Sequence, residues 1–250
     1  MSGEPGLLVD QRDGTLWLQF NRPQARNAVD WPVRHLLIDA LSAAAVDPDV
    51  RAVVIRGDHI AFSAGGDIRE MTPGAPDTGE KLAAGSRIIQ LIATMPVPVI
   101  AAVRGHAAGA GFSIAMACDL IFAADDAVFS PSFALVGLST DLGASYWLPR
   151  AVGLPRAKDI LLSGRPLDAR TAADLGLVSA VWSTDEFEER LEARVREIAA
   201  GPTRAYGAIK RLLNLSSSRT LQEQIEAENV DQVELVSSHD HVEGIRAFTE

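Results

Sequence analysis

With 250 residues, 47% of them hydrophobic, the chain is long enough for one sizeable domain or a domain with a helical appendage. A formal net charge of −10 argues against non-specific binding to nucleic acid or to an anionic membrane, and the single cysteine, Cys118, excludes a disulfide framework within the chain and a cysteine-based metal site. The N-terminal MSGEPGLLVDQRDG carries no basic stretch followed by an apolar run, and no window of about 18 uninterrupted apolar residues reads as a membrane span, so the expectation is a cytoplasmic protein with neither nucleic-acid nor membrane partners.

In chain order, Leu16, Leu18 and Phe20 alternate with Thr15, Trp17 and Gln19, which predicts a half-buried strand ended by Asn21-Arg22-Pro23. Val33, Leu36, Leu37, Ala40, Leu41 and Ala44 follow helical spacing, with Asp30 as the cap and Asp47-Pro48 as the stop. Residues 52–55 predict a buried strand, 62–67 (FSAGGD) a loop, 72–79 (TPGAPDTG) a turn-rich segment, and 80–95 a helix stopped by Pro96.

Residues 97–119, VPVIAAVRGHAAGAGFSIAMACD, are the most informative stretch. A run of small and β-branched residues ends at Gly105, the small turn Gly109-Ala110-Gly111 follows, and an apolar helical pattern runs from Ile114 to Cys118. The first N–H groups of a helix have no internal partner, and glycine and alanine let a ligand approach them closely. The segment therefore offers backbone donors and a positive dipole end to an anion, or to an oxygen that becomes one. Residues 120–123 and 128–129 predict short strands. After about residue 155 the strand signal fades, and 168–175, 185–200, 203–214 and 221–237 read as helices. Strands alternating with helices over the first two thirds predict an α/β fold with largely parallel or spiral sheets, against which the helical last third packs.

Four pieces, in this order and at these spacings, make the chain resemble the crotonase (enoyl-CoA hydratase/isomerase) superfamily. They are Asn21-Arg22-Pro23 with Arg26-Asn27-Ala28, then Phe62 to Asp67, then Val99 to Gly111, then Leu175-Gly176-Leu177-Val178. The resemblance implies a crotonase-like spiral of ββα turns over residues 1–200, which holds the acyl-CoA site, and a helical trimerisation region over 201–250. It implies a homotrimer or a dimer of trimers that takes an acyl-CoA thioester and uses no metal and no cofactor apart from the coenzyme A of the substrate itself. Two backbone N–H groups, which fall on Gly66 and Ala110, would hold the thioester oxygen. Alanine at the second position still supplies the N–H, and its methyl narrows the approach. The substrate-binding positions fall on Ala25, Ala64 and Ile68, with a basic side chain at Arg26, and on Asp67, which also reads as the cap of the segment after the loop.

Two departures from the family pattern direct the functional reading. Hydratases of the family carry two catalytic glutamates, and at the matching positions this chain has Ser113 and Phe133. Adding water across a double bond needs a base and an acid, and neither residue serves. Asp141, in the apolar and glycine-rich stretch 136–144, resembles the single catalytic acid of one branch of enoyl-CoA isomerases, although Thr140 replaces the proline more common there. Read locally, Asp141 is a turn residue or a helix cap. Read with the two missing glutamates, it is the acid and base of a Δ3,Δ2-enoyl-CoA isomerase, the preferred reading. The alternatives are a non-catalytic acyl-CoA binding protein and an atypical enoyl-CoA hydratase that lacks both usual glutamates.

Several other residues are weaker candidates. Glu70 is read as part of a solvated face and His106 as structural, while His239 and His241 resemble a metal pair by spacing alone. Tyr146 is a candidate for the acyl pocket wall. Arg22, Arg69 and Lys81 are candidates for the CoA phosphates. Related chains continue past the Gly-Ile-Arg-Ala-Phe motif with a basic tail, so one CoA contact is expected to be missing here, with Lys210 as a partial substitute.

Overall fold

The computed structural model describes residues 4–249 except Pro73, so the first three residues of the N-terminal segment, Pro73 of the turn-rich segment and Glu250 lie outside it. Strands β1 (Leu7–Arg12) and β2 (Thr15–Phe20) form an antiparallel hairpin, followed by helix α1 (Trp31–Ala44). The Asp30 carboxylate accepts the Val33 amide at 3.0 Å, which makes it the predicted N-cap. Three units then repeat one plan. The first is β3 (Ala52–Arg56), β4 (Ala61–Ser63) and α2 (Thr78–Thr94). The second is β5 (Val99–Val103), β6 (His106–Ala108) and α3 (Ala110–Ala117). The third is β7 (Leu120–Ala124) and β8 (Val128–Ser130), continued by α4 (Ala144–Val152) and α5 (Leu154–Ser163).

Each unit gives one strand to each of two sheets, which is what makes the chain a spiral. β3, β5 and β7 extend a large sheet, and β4, β6 and β8 build a small one, both parallel through these strands. The chain then passes through β9 (Leu167–Asp168), α6 (Ala169–Asp174), β10 (Ala180–Trp182) and α7 (Phe187–Ala200). It ends in α8 (Thr203–Leu215), α9 (Leu221–Leu235) and α10 (His239–Thr249). The last third is therefore not strand-free, as its sequence suggested: β9 closes the small sheet beside β8, and β10 closes the large sheet beside β7.

The central strands read as unbroken apolar runs because both of their faces are buried. In β3, Val53 and Ile55 enter the main core between the sheets and α1–α5, while Ala52 and Val54 face a second core under Phe187, Leu191, Val195 and Ile198 of α7. Cys118 is buried at the end of α3, its thiol donates to the Ile114 carbonyl, and burial pushes its pKa well above the ordinary thiol value. That fits the core thiol expected from the sequence. No helix among the described residues is long and apolar enough to cross a membrane.

Candidate active site

Two loops meet at the N-terminus of α3. Gly65 adopts φ +95°, and a Cβ there would lie 2.7 Å from the Ala108 carbonyl oxygen and 3.2 Å from the Ala110 nitrogen, so only glycine lets the first loop pass this close. The Gly65 carbonyl accepts the Val29 amide at 2.7 Å, and the Gly65 amide donates to Ser63 Oγ at 3.1 Å. Ser63 Oγ in turn donates to the Asn27 carbonyl at 2.8 Å. Gly109, at φ +49°, turns the second loop and donates to the Ser130 carbonyl at 3.0 Å. Every amide that fixes the two loops is thus committed. Among the described residues the amides of Gly66 and Ala110 donate no hydrogen bond. Both amides are thus unpaired where the two loops pass each other.

Asp141 lies just before α4. The N-cap of that helix is Gly143, with no side-chain cap, so Asp141 does not cap it. Its Oδ1 is buried and has no hydrogen-bond partner among the described residues. Burial pushes the carboxyl above the ordinary carboxylate range, and the charge of Arg34 opposes part of that shift. Ser113 is fully buried, and its Oγ donates to the Asp141 backbone carbonyl at 3.0 Å, so α3 holds the Asp141 turn in place. Phe133 is also buried, with its ring edge 4.0 Å from the Cβ position of Gly109. Neither residue offers a carboxyl in place of a glutamate. Ser113→Ala is expected to cost about 0.5–1.5 kcal/mol in urea unfolding, the usual contribution of one such hydrogen bond.

The remaining sequence candidates sort by what they touch. Arg26 is exposed in a left-handed conformation, and its carbonyl accepts the Ala64 amide at 2.9 Å, which brings Ala25, Arg26 and Ala64 together on the surface beside the exposed Ile68. Asp67 is buried and is the cap expected of it: it accepts the Arg69 amide at 3.1 Å and pairs with Arg69 and with Arg22. The Arg69 guanidinium, with Arg22 and the backbone adding to it, holds the Asp67 carboxyl well below the usual range.

Others depart from expectation. Arg22 is not free for a phosphate, because it is tied to Asp30, Asp67 and the Ala28 carbonyl. Lys81 pairs with Asp77 at 2.9 Å. Glu70 is not on a solvated face: it accepts the Trp31 amide at 2.9 Å and meets Arg34 at 3.6 Å. Tyr146 donates to the Asn214 carbonyl of α8 at 3.2 Å, and it lines a cavity of about 980 Å3 between the ends of α1 and α2 and α8. Lys210 is buried and bound to Asp119, so it does not replace a CoA contact. Arg34 is the site residue that sequence reasoning missed. The signal was its spacing, three residues before Leu37 and seven before Leu41, on the buried stripe of α1.

Comparison with known proteins shows the family and the fold. The model of the enoyl-CoA hydratase/isomerase family matches residues 10–250. A protein of Rhodobacter capsulatus named a probable enoyl-CoA hydratase is 36% identical over 95% of this chain and 92% of its own length. The 1,2-epoxyphenylacetyl-CoA isomerase of Escherichia coli is 32% identical over 97% of this chain and 94% of its own. The crystal structure of an enoyl-CoA hydratase from Polaromonas sp. JS666 superposes with a TM-score of 0.92 at 36% identity, covering 97% of this chain and 96% of that one.

Proposed function

Because the chain belongs to the enoyl-CoA hydratase/isomerase family, we propose that it moves the double bond of an acyl-CoA thioester from Δ3 to Δ2, with Asp141 as the single acid and base. The observation that carries this reading is the buried, unbonded Asp141 oxygen, on a turn fixed by the residue that stands in place of the first hydratase glutamate. Asp141 takes a proton from C2, and the electron pair moves into a dienolate whose charge rests on the thioester oxygen. The Gly66 and Ala110 amides stabilise that charge where it develops, and loss of one such donor typically costs about 2.7–4 kcal/mol. Protonated Asp141 then returns the proton to C4, which leaves the double bond at C2–C3. The route draws on nothing beyond the protein and the thioester. On the surface, the Ala25, Arg26, Ala64 and Ile68 cluster is the proposed path of the CoA moiety.

The exposed apolar residues Leu221, Ile225, Val230, Val233, Val242 and Ile245 of α9 and α10 suit residues 201–250 to subunit assembly, and a homotrimer or dimer of trimers is part of the proposal.

The test is product identity. Incubated with a 3-enoyl-CoA, the protein should yield the 2-enoyl-CoA of unchanged mass. A product heavier by one water would instead mark an atypical hydratase, and tight binding without turnover a silent binder. The proposal also fixes a pH dependence. The base must be ionised, so kcat/KM falls as pH drops through the Asp141 pKa, and that limb lies above the ordinary aspartate value of about 3.9. Arg34 favours the carboxylate, so Arg34→Met moves the limb to higher pH. A pH–rate profile in which the variant's limb stays put or moves down would contradict this.

A further inference from the structure

Arg34 places a cation inside the site that the proposed proton transfer does not require. Its side chain is only 13% exposed, and its Nη2 lies 3.7 Å from the Cβ position of Gly66. Its Nη1 is buried without a hydrogen bond among the described residues. Glu70 Oε2 stands 3.6 Å from it, an ion pair too long for a hydrogen bond, while Glu70 Oε1 is committed to the Trp31 amide. The guanidinium therefore lies beside Gly66 and Glu70, and its charge also favours the ionised form of Asp141. A buried guanidinium N–H left without an acceptor is costly, and a ligand that supplies one recovers the cost.

We propose that Arg34 selects acyl groups carrying a neutral oxygen acceptor (an ether, hydroxyl or carbonyl oxygen) close to the thioester. This rests on the reading of Gly66 and Ala110 as the thioester-oxygen donors. The acceptor is neutral because the Glu70 carboxylate, 3.6 Å away, already balances the guanidinium charge. A purely hydrocarbon chain leaves Nη1 unbonded, and a site built around a buried donor rejects a ligand that lacks the matching oxygen.

The experiment uses unreactive ligands, so it does not depend on turnover. Calorimetry compares butyryl-CoA with methoxyacetyl-CoA, and hexanoyl-CoA with 4-methoxybutyryl-CoA, pairs that differ by an oxygen in place of a methylene. Wild type should bind an ether isostere about tenfold or more tightly than its hydrocarbon partner. Arg34→Met should lose that preference and bind the two members of each pair alike, and Arg34→Lys should retain part of it. Equal affinities in wild type would overturn the proposal even if the variants fail to fold, and so would a preference that survives in Arg34→Met. If none of the four ligands binds, the reading of the site as an acyl-CoA site falls, and this proposal falls with it.

Discussion

Replacing Asp141 with asparagine is expected to lower turnover of a 3-enoyl-CoA by about 10²–10⁴-fold, the usual contribution of a positioned acid or base, while the substrate still binds with similar affinity. Asparagine has the same shape but cannot take up the C2 proton. The contact that fixes this turn runs from Ser113 Oγ to the backbone carbonyl of residue 141, so it survives the substitution. The donors at Gly66 and Ala110 lie on other loops and are untouched. The loss should therefore fall on kcat rather than on binding. Equal rates in wild type and variant would return Asp141 to the role of a turn residue. Single-turnover kinetics with saturating enzyme separates the two outcomes, because it reads the chemical step without product release.

The second large effect is on stability. Lys210→Met is expected to destabilise the fold by about 1.5–3 kcal/mol at neutral pH, the contribution of hydrogen bonds to a charged group, because Asp119, whose side chain is 22% exposed, is left as a partly buried charge without its partner. Lys210 Nζ donates to Asp119 Oδ2 at 2.7 Å, to the Ile92 carbonyl at 2.7 Å and to the Val97 carbonyl at 3.3 Å. One ammonium thus pins α8 to the end of α2 and to the entry of β5. Burial pushes Asp119 up and Lys210 down, and their mutual attraction opposes both shifts. Without the lysine nothing but the Val99 amide opposes the rise at Asp119. A carboxyl raised in the folded state destabilises above its folded pKa and ceases to do so below its unfolded value. The deficit of Lys210→Met should therefore shrink as pH falls from 7 toward 4, in urea unfolding at each pH. A deficit that is small, or that does not change over this range, would contradict the assignment.

Features written in local chemistry were legible in the sequence. The glycines at 65, 66, 109 and 111 marked both loops, Asp30 and Asp67 marked their caps, and the apolar run of β5 marked a strand buried on both faces. Elements too short or too one-sided to show a period were not. β9 and β10 have two and three residues, and β1 buries only Leu7. Helices α4 and α5 are interrupted by Pro149 and Gly153, which hide their common amphipathic pattern. Contacts made across the fold were invisible as well: Ser113 meets Asp141 28 residues away, and Lys210 meets Asp119 91 residues away. A lysine in an amphipathic helix reads as solvated, and only the packed structure shows that Lys210 points inward. Arg34 lies between these cases, because its place on the α1 stripe was readable while its neighbours, Gly66 and Glu70, were not.

The central claim is that one carboxylate carries a proton from C2 to C4. It is tested most directly by a 3-enoyl-CoA deuterated at both C2 positions, turned over in ordinary water, with the product's C4 hydrogen content read by mass spectrometry or NMR. Deuterium delivered to C4 is the predicted result, since Asp141 returns the proton it has just taken. A product whose new C4 hydrogen comes wholly from the solvent would contradict the single-carboxylate account.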